Sequence, residues 1–190
     1  MRLFFAIRIP YDFWNPLGLV QGRLPQVQGV RYSMAHDFHV TLKFLDECDS
    51  MKALEVAVSA RAALKRVHFK PEDLELSFSR LKLFHKHHIP QVIYAGIRMS
   101  PVLYEFQQDL EASLESLGFK SEGKRFLPYV TLARVRDFKK HDRLGEWQEA
   151  FGRLGVQRKT FSIQGFDLIE SQLEEGQVPI YKTIETFSFI

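Results

Sequence analysis

The sequence of 190 residues predicts an α+β protein, a bilobal pseudo-twofold duplication in which each lobe is an antiparallel sheet backed by helices. Two observations predict this class. The segment His-Val-Thr-Leu that starts at His39 returns as Tyr-Val-Thr-Leu at Tyr129, 90 residues later. The segment Ala-Ile-Arg-Ile from Ala6 lines up with Gly-Ile-Arg-Met from Gly96 at the same offset of 90 residues. Two segments that share one offset indicate a duplicated unit.

The duplication also predicts the domain organisation and the place of the active groove. We expect a single domain over residues 1–190, with internal repeat units of approximately 1–90 and 91–190. A pseudo-twofold molecule has a groove between its halves, and the two copies of the motif face each other there. His39 and Tyr129 are therefore expected on opposite walls of one groove.

Each half is predicted to fold as strand, helix, motif strand, helix and strand. The first half contains these elements at residues 2–9, within 12–24, and at 38–45, 50–67 and 73–84. The apolar run at the N-terminus is a strand and not a signal peptide, because Arg8 interrupts it. The short helix is the weakest assignment, since it contains Pro16, Gly18 and Gly22.

The second half repeats this order. Its elements are predicted at residues 91–99, 101–117, 129–136, 139–154 and 160–170, with a closing strand near 180–189. The helix after Ser100 and Pro101 is well defined, because apolar residues recur at helical spacing and Gly118 ends it; they are Leu103, Phe106, Leu110, Leu114 and Leu117. A similar apolar series from Leu144 to Leu154, ended by Gly155, predicts the helix at 139–154.

Strand alternation predicts which side chains the motif presents to the groove. In the first copy His39, Thr41 and Lys43 share one face, and the apolar residues between them seek the core. In the second copy Tyr129 and Thr131 share the groove face. Strict alternation directs Arg134 away from Thr131. A histidine and a threonine two residues apart can hold one phosphoryl group, because the hydroxyl donates to an oxygen while the imidazole exchanges a proton with a ribose oxygen.

The two motif strands resemble the paired His-x-Thr-x signatures of the 2H phosphoesterases. Within that superfamily the chain is similar to the RNA 2',3'-cyclic phosphodiesterases, also called 2'-5' RNA ligase-like proteins. The likeness covers most of the chain, including the N-terminal strand, Tyr94-Ala95-Gly96, Gly118-Phe119 and Glu170-Ser171. One four-residue motif is weak evidence, but two copies in duplicated contexts are strong evidence.

The resemblance implies a reaction that needs neither metal, ATP nor another cofactor. Such proteins open a terminal 2',3'-cyclic phosphate to a 2'-phosphate, and some join tRNA halves through a 2'-5' linkage. By resemblance, His39 is the general acid, and Thr41 and Thr131 are the phosphate-binding hydroxyls. Arg134 matches the arginine that follows the second motif in the family, and with Lys43 it completes the predicted substrate-binding set.

The chain departs from the family at the second histidine, which is Tyr129 here. The family uses that histidine as general base, whereas only about 0.1% of a free phenol is ionised at pH 7. Losing a positioned base typically slows a reaction by about 10² to 10⁴. Three alternatives remain: a slowed enzyme, an enzyme with rearranged roles, and a protein that binds RNA ends or 2'-phosphates without turnover. In rearranged roles neutral His39 activates water and Tyr129 protonates the leaving oxygen.

Composition adds bounds on partners and location. The net charge of +3 and pI near 9.0 are compatible with RNA ends or cyclic nucleotides as partners. The single Cys48 cannot form an internal disulfide, which fits a cytoplasmic protein. We expect a monomer without a membrane partner. A metal-dependent hydrolase built on His85, His87 and His88 is a third hypothesis, but no carboxylate or cysteine cluster accompanies them, and a solvated basic turn is favoured.

Overall fold

The computed structural model describes residues 1–24, 29–86, 89–121, 123, 125–135, 159–172 and 179–189. These residues form nine antiparallel strands and three α-helices. The strands are β1 (Arg2–Arg8), β2 (Val30–Tyr32), β3 (His39–Glu47), β4 (Glu75–Lys86), β5 (Ile89–Arg98), β6 (Tyr129–Val135), β7 (Thr160–Ser162), β8 (Gly165–Gln172) and β9 (Ile180–Ser188). The helices are α1 (Trp14–Gly22), α2 (Ser50–Leu64) and α3 (Pro101–Glu115). The helix predicted at 139–154 lies outside the described residues.

The sheet is divided into two lobes at the motif strands. Its order is β7-β4-β5-β6-β3-β1-β8-β9, with β2 also paired to β6. Within the described residues, β3 and β6 pair through Val40 and Val130 alone. Beyond that pair the two strands stay with their own lobes, β3 with β1 and β6 with β5. The predicted α+β class with two antiparallel lobes is confirmed, and the groove starts where β3 and β6 separate.

The helices pack on the sheet through apolar faces and reach across the lobes. Four of the apolar residues that predicted α3 are fully buried; they are Leu103, Phe106, Leu110 and Leu114. The α3 side chain Gln107 donates to the Leu42 carbonyl of β3 at 3.1 Å. In the same way the α1 side chain Gln21 donates to the Leu132 carbonyl of β6 at 2.7 Å. Each motif strand is therefore held by a glutamine amide from a helix of the other half.

Both motif strands contain a β-bulge at the leucine of the motif. Thr41 pairs with Ala6, but Lys43 pairs with Phe5, so that Leu42 is an extra residue. In β6 the register shift likewise falls at Leu132, between the pairs of Thr131 and Ala133. An extra residue reverses the alternation that follows it. The strict alternation predicted for both strands is therefore wrong beyond the bulge, because Lys43 turns into the protein and Phe44 and Arg134 turn outwards.

The pairing register also corrects the alignment of β1 with β5. Thr41 lies opposite Ala6, whereas Thr131 lies opposite Tyr94, so these two strands correspond at an offset of 88 residues instead of 90. A shift by two residues leaves every side chain on its own face, which explains why the sequence pattern did not reveal it. Consequently Tyr94 takes the place of Ala6. Gly96 takes the place of Arg8, and a Cβ at Gly96 would overlap the Ser79 hydroxyl.

The segment predicted as one strand at 160–170 forms two strands in different lobes. The first, β7, pairs with β4, and the second, β8, pairs with β1 and β9. The short strand β2 was not predicted; it lies beside β6, where Arg31 faces Arg134. None of the described helices is long and apolar enough to cross a membrane.

Candidate active site

His39 is the first residue of β3, and neighbouring groups hold its imidazole ring in place. Its Nδ1 atom lies 2.5 Å from the carbonyl oxygen of Asp37. A carbonyl oxygen can only accept, so Nδ1 carries the proton and Nε2 keeps its lone pair. The rings of Phe4 and Tyr181 pack against the imidazole at centroid distances of 5.1 and 5.3 Å, the second one perpendicular to it. The imidazole is thus fixed in one orientation and one tautomer.

This environment favours neutral His39. Burial lowers the pKa of His39 to about 4, and the positive charges of Arg8 and Arg134 act in the same direction. The hydrogen bond to the Asp37 carbonyl opposes them without reversing the shift. At pH 7 the side chain is therefore an uncharged base whose Nε2 can accept a proton.

Arg8 lies directly opposite His39 in the β1–β3 pair. Its Nε donates to Asp167 at 2.9 Å, and its terminal nitrogen donates to the Thr183 hydroxyl at 2.9 Å. Thr186 also donates to the Asp167 carboxylate, at 2.7 Å. Because β8 and β9 fix the guanidinium in this way, its charge stays close to His39.

Tyr129 begins β6 and belongs to a cluster of aromatic rings. Its ring lies 5.0 Å from that of Tyr94 and 5.1 Å from that of Phe84, and these two rings stack on each other at 4.2 Å. Burial raises the pKa of Tyr94, and the neighbouring Tyr129 adds to that shift. Tyr129 therefore packs in an aromatic cluster at the start of β6.

One groove collects most of the predicted site. His39, Thr41, Tyr129, Thr131 and Arg134 all line it. The bulge at Leu132 brings Arg134 onto the groove face, contrary to the strict alternation of the sequence. The groove has eight further lining residues, which are Arg31, Tyr32, Ser33, Met34, Asp37, Phe44, Pro179 and Tyr181.

Lys43 does not face this groove. It is 3% exposed, and its Nζ lies 2.8 Å from the Glu111 carboxylate and 2.8 Å from the Lys120 carbonyl. The bulge at Leu42 explains the difference, because it moves Lys43 to the opposite face and gives its expected position to Phe44. The position of Lys43 therefore does not support a role in binding substrate in the groove. Its contact with Glu111 connects β3 to α3 instead.

None of the eight further lining residues was predicted from the sequence, and three of them, Phe44, Arg31 and Tyr181, bear on the chemistry of the groove. Phe44 follows the first motif threonine by three positions, as Arg134 follows the second. This equal spacing is the sequence feature that could have placed Phe44 in the groove. Arg31 lies opposite Arg134 in the β2–β6 pair. Tyr181 reaches the groove from β9, and burial raises its pKa. Nothing in the local sequence around Arg31 or Tyr181 indicates the groove, because the pairing of β2 with β6 places Arg31 there and β9 carries Tyr181 there.

The arginine pair indicates the charge of the ligand. Like charges directly opposite each other on neighbouring strands repel. Arg31 and Arg134 nevertheless share one edge of the groove. Both guanidinium groups can donate to an anion in the groove, and the hydroxyls of Thr41 and Thr131 can donate to its oxygens. The arrangement can bind a phosphoryl group beside a neutral base and a phenol.

Metal ligands are not assembled in the part of the chain that the structure describes. No group of three or more His, Cys, Asp or Glu side chains there is arranged to hold a metal ion. The backbone of His85 belongs to β4. His87 and His88, on which the metal hypothesis rested, lie outside the described residues.

Comparisons with known proteins identify the family. The model of the family described as LigT like Phosphoesterase matches residues 7–94 and 98–180. An RNA 2',3'-cyclic phosphodiesterase of Methanocaldococcus jannaschii is 26% identical over 190 residues, covering 97% of this chain and 99% of that protein. One of Aeropyrum pernix is 29% identical over 149 residues, covering 78% of this chain and 80% of its own.

Solved structures show the same fold. A Thermus thermophilus protein superimposes with a TM-score of 0.78 at 24% identity, covering 100% of this chain and 98% of its own. Escherichia coli LigT, solved in complex with 3'-AMP, gives a TM-score of 0.72 at 19% identity and covers 98% of this chain and 97% of its own. The family match extends over most of the sequence and includes both motif strands. The chain therefore belongs to the LigT-like phosphoesterase family.

Proposed function

We propose that the protein is an RNA 2',3'-cyclic phosphodiesterase that works by acid–base catalysis without a metal. The observation that carries the proposal is the convergence of His39, Thr41, Tyr129, Thr131 and Arg134 on one groove. Relatives that match nearly the whole chain bear this name, and E. coli LigT has been solved with 3'-AMP, a ribonucleotide with a phosphate at the ribose 3' position.

The phosphate of a terminal cyclic end fits between the two motif threonines. Their hydroxyls donate to its non-bridging oxygens, and Arg134, with Arg31 opposite it, balances its charge. In-line displacement at phosphorus places the attacking water and the leaving ribose oxygen on opposite sides. His39 on β3 and Tyr129 on β6 supply one group to each side.

The protonation of His39 favours rearranged roles. Its neutral Nε2 accepts a proton from water, while the phenol of Tyr129 donates one to the leaving oxygen. With His39 as acid, as in the family pattern, the product is a 2'-phosphate. With His39 as base in the same substrate pose the other ribose oxygen leaves, and we expect a 3'-phosphate. The product thus identifies the role of His39.

Ligation is the same displacement with a ribose 5'-hydroxyl in place of water. We therefore also propose that the groove joins RNA ends, for which tRNA halves are the candidates that the family resemblance suggests. The protein is proposed to act as a monomer in the cytoplasm, where its lone Cys48 would stay reduced. Incubating cyclic-phosphate RNA with 5'-hydroxyl RNA and sequencing the joined strand tests the ligation.

A second candidate is an RNA-end binding protein without turnover. The observation that favours it is Tyr129, since a phenol replaces the acid–base histidine while the phosphate-binding threonines remain. Such a protein would keep its affinity for a 2'-phosphate but would not open the cyclic ester.

One experiment separates these functions. Uridine 2',3'-cyclic phosphate is incubated with the protein in EDTA, and the two product phosphates are resolved by chromatography. Turnover in EDTA supports the phosphodiesterase and rejects a metal-dependent hydrolase. Thr41→Val and Thr131→Val should each raise KM more than they lower kcat, because they remove donors to the bound phosphate. Binding of uridine 2'-phosphate without any turnover would select the binding protein.

A further inference from the structure

A second cleft opens directly beside the catalytic groove. The two share Thr41, Phe44 and Tyr129 as a common wall. We define the second cleft by its outer residues, which are Phe84, Arg125, Phe126 and Leu127. Because the shared wall includes a motif threonine and Tyr129, a phosphate in the groove would lie next to the entrance of the second cleft.

The second cleft keeps apolar surface in contact with water. Phe44 and Leu127 are each 48% exposed and stand at the cleft. The ring of Phe84 is fixed there, stacked on Tyr94 at an interplanar angle of 21° and in edge contact with Tyr129. Flat aromatic and aliphatic surfaces that stay accessible in a cleft are suited to a planar ring, and nucleobases stack on them with little dependence on sequence.

The charges of the cleft favour a nucleotide over a neutral ring. On its floor Lys43 and Glu111 form an ion pair at 2.8 Å, and their opposite charges largely cancel. Arg125 is exposed at the rim and adds a positive charge. An arginine next to a stacking surface can bind the phosphodiester that joins two nucleosides.

We propose that the second cleft binds a second nucleoside of the RNA, the neighbour of the one that carries the cyclic phosphate. A cyclic mononucleotide has one base, and the catalytic groove already offers that base an aromatic wall at Tyr32 and Tyr181. A second stacking surface with its own arginine is accounted for by a ligand of at least two nucleosides. The inference rests on the proposed function, because the phosphate in the groove sets the position of the chain.

The test compares two ligands that cannot turn over. Uridine 2'-phosphate and the same nucleotide extended at its 5' side by one adenosine, joined through a 3'-5' phosphodiester, are titrated calorimetrically into the protein. We expect the dinucleotide to bind at least about tenfold more tightly, as stacking of one further base provides. The double variant Arg125→Ala/Leu127→Ser should reduce this ratio below about twofold. Arg98→Ala/Leu54→Ala, which removes an exposed arginine and an exposed leucine away from both clefts, should keep it.

The outcomes separate this inference from the proposed function. Equal affinity of the wild-type protein for both ligands would overturn the inference even where cyclic phosphate is hydrolysed. An equal loss of affinity for both ligands in Arg125→Ala/Leu127→Ser would place the terminal base in the second cleft and overturn it as well. A dinucleotide preference without turnover would support the second cleft and reject the phosphodiesterase. Failure of the dinucleotide to bind would overturn the inference, and turnover of the cyclic phosphate would still decide the phosphodiesterase. Thermal unfolding of each variant checks that it is folded.

Discussion

Tyr129→His is the substitution on which the proposed mechanism depends most directly. It introduces an imidazole into the groove that His39 also lines, at the position where the family resemblance implies a second histidine. The introduced ring would lose edge contacts with Tyr94 and Phe84, each worth about 0.5–1.5 kcal/mol beyond buried area. We therefore expect a folded variant that is less stable than the wild-type protein by about 1–3 kcal/mol.

The size of the expected rate change follows from the protonation states of His39 and of the side chain at position 129. His39 stays the base, because burial and two arginines hold its pKa at about 4. The introduced imidazolium is a stronger acid than a phenol by about 3.5 pKa units, but only about a quarter of it is protonated at pH 7. If about half of the acidity difference appears in the rate, the gain is about tenfold. We expect kcat to rise by at least about this factor.

The assay measures turnover of uridine 2',3'-cyclic phosphate from pH 5 to pH 9 and identifies the product at each pH. In Tyr129→His the rate should fall as the pH rises through about 6.5, where the introduced imidazolium loses its proton. The product should remain the 3'-phosphate, because His39 is still the base. Tyr129→Phe is the matched control; it keeps the ring and its contacts but removes the proton, so kcat should fall by about 10² or more.

Three results would refute this reasoning. A 2'-phosphate product from Tyr129→His would show that His39 acts as the acid in spite of its surroundings. No gain in rate, with binding of uridine 2'-phosphate intact, would show that the groove has lost more than one side chain. Unchanged turnover in Tyr129→Phe would make Tyr129 a spectator.

Three further predictions follow from the surroundings of His39 and Lys43. His39→Ala should remove phosphodiesterase activity and lower the free energy of unfolding by about 2–4 kcal/mol in urea titrations, because it loses one hydrogen bond and the contacts with the Phe4 and Tyr181 rings; unaltered turnover would place the chemistry elsewhere. The pKa of His39 is lowered to about 4 in the folded protein, so as the pH falls the histidine is protonated in the unfolded chain before it is protonated in the folded protein. The free energy of unfolding should therefore fall by at most about 3 kcal/mol as the pH drops from 6.5 to 4. His39→Gln should lack this share of the acid destabilisation, and the same pH dependence in both proteins would contradict the shift. Lys43→Met should cost about 3–5 kcal/mol in urea unfolding by leaving Glu111 unpaired, and adding Glu111→Leu should recover most of it; a small loss in the single variant would mean that the ion pair is not needed.

The sequence contained enough to predict the architecture and the centre of the site. The alternation before each bulge and the helical spacing from Leu103 to Leu114 are local patterns, and the core positions they predict are buried, whereas Phe44 beyond the first bulge is 48% exposed. The repeated motif predicted that His39 and Tyr129 would share a groove, because related strands occupy related places in a duplicated protein. These features depend on residues that are close together in the chain or on a sequence segment that is repeated.

The tertiary structure decided which side chains complete the site. A bulge is set by the pairing of two strands, so the residues around Leu42 and Leu132 did not predict it. The bulges turn Lys43 into the protein and turn Phe44 and Arg134 into the groove. Likewise, Arg31 reaches the groove because β2 pairs with the remote strand β6, and Tyr181 reaches it from β9, which lies far from both motifs in the chain. The sequence alone, through its repeated motif, determined which two strands line the groove. The cationic edge, the neutral state of His39 and the adjoining second cleft depend on strand register and burial, which exist only once distant segments have packed together.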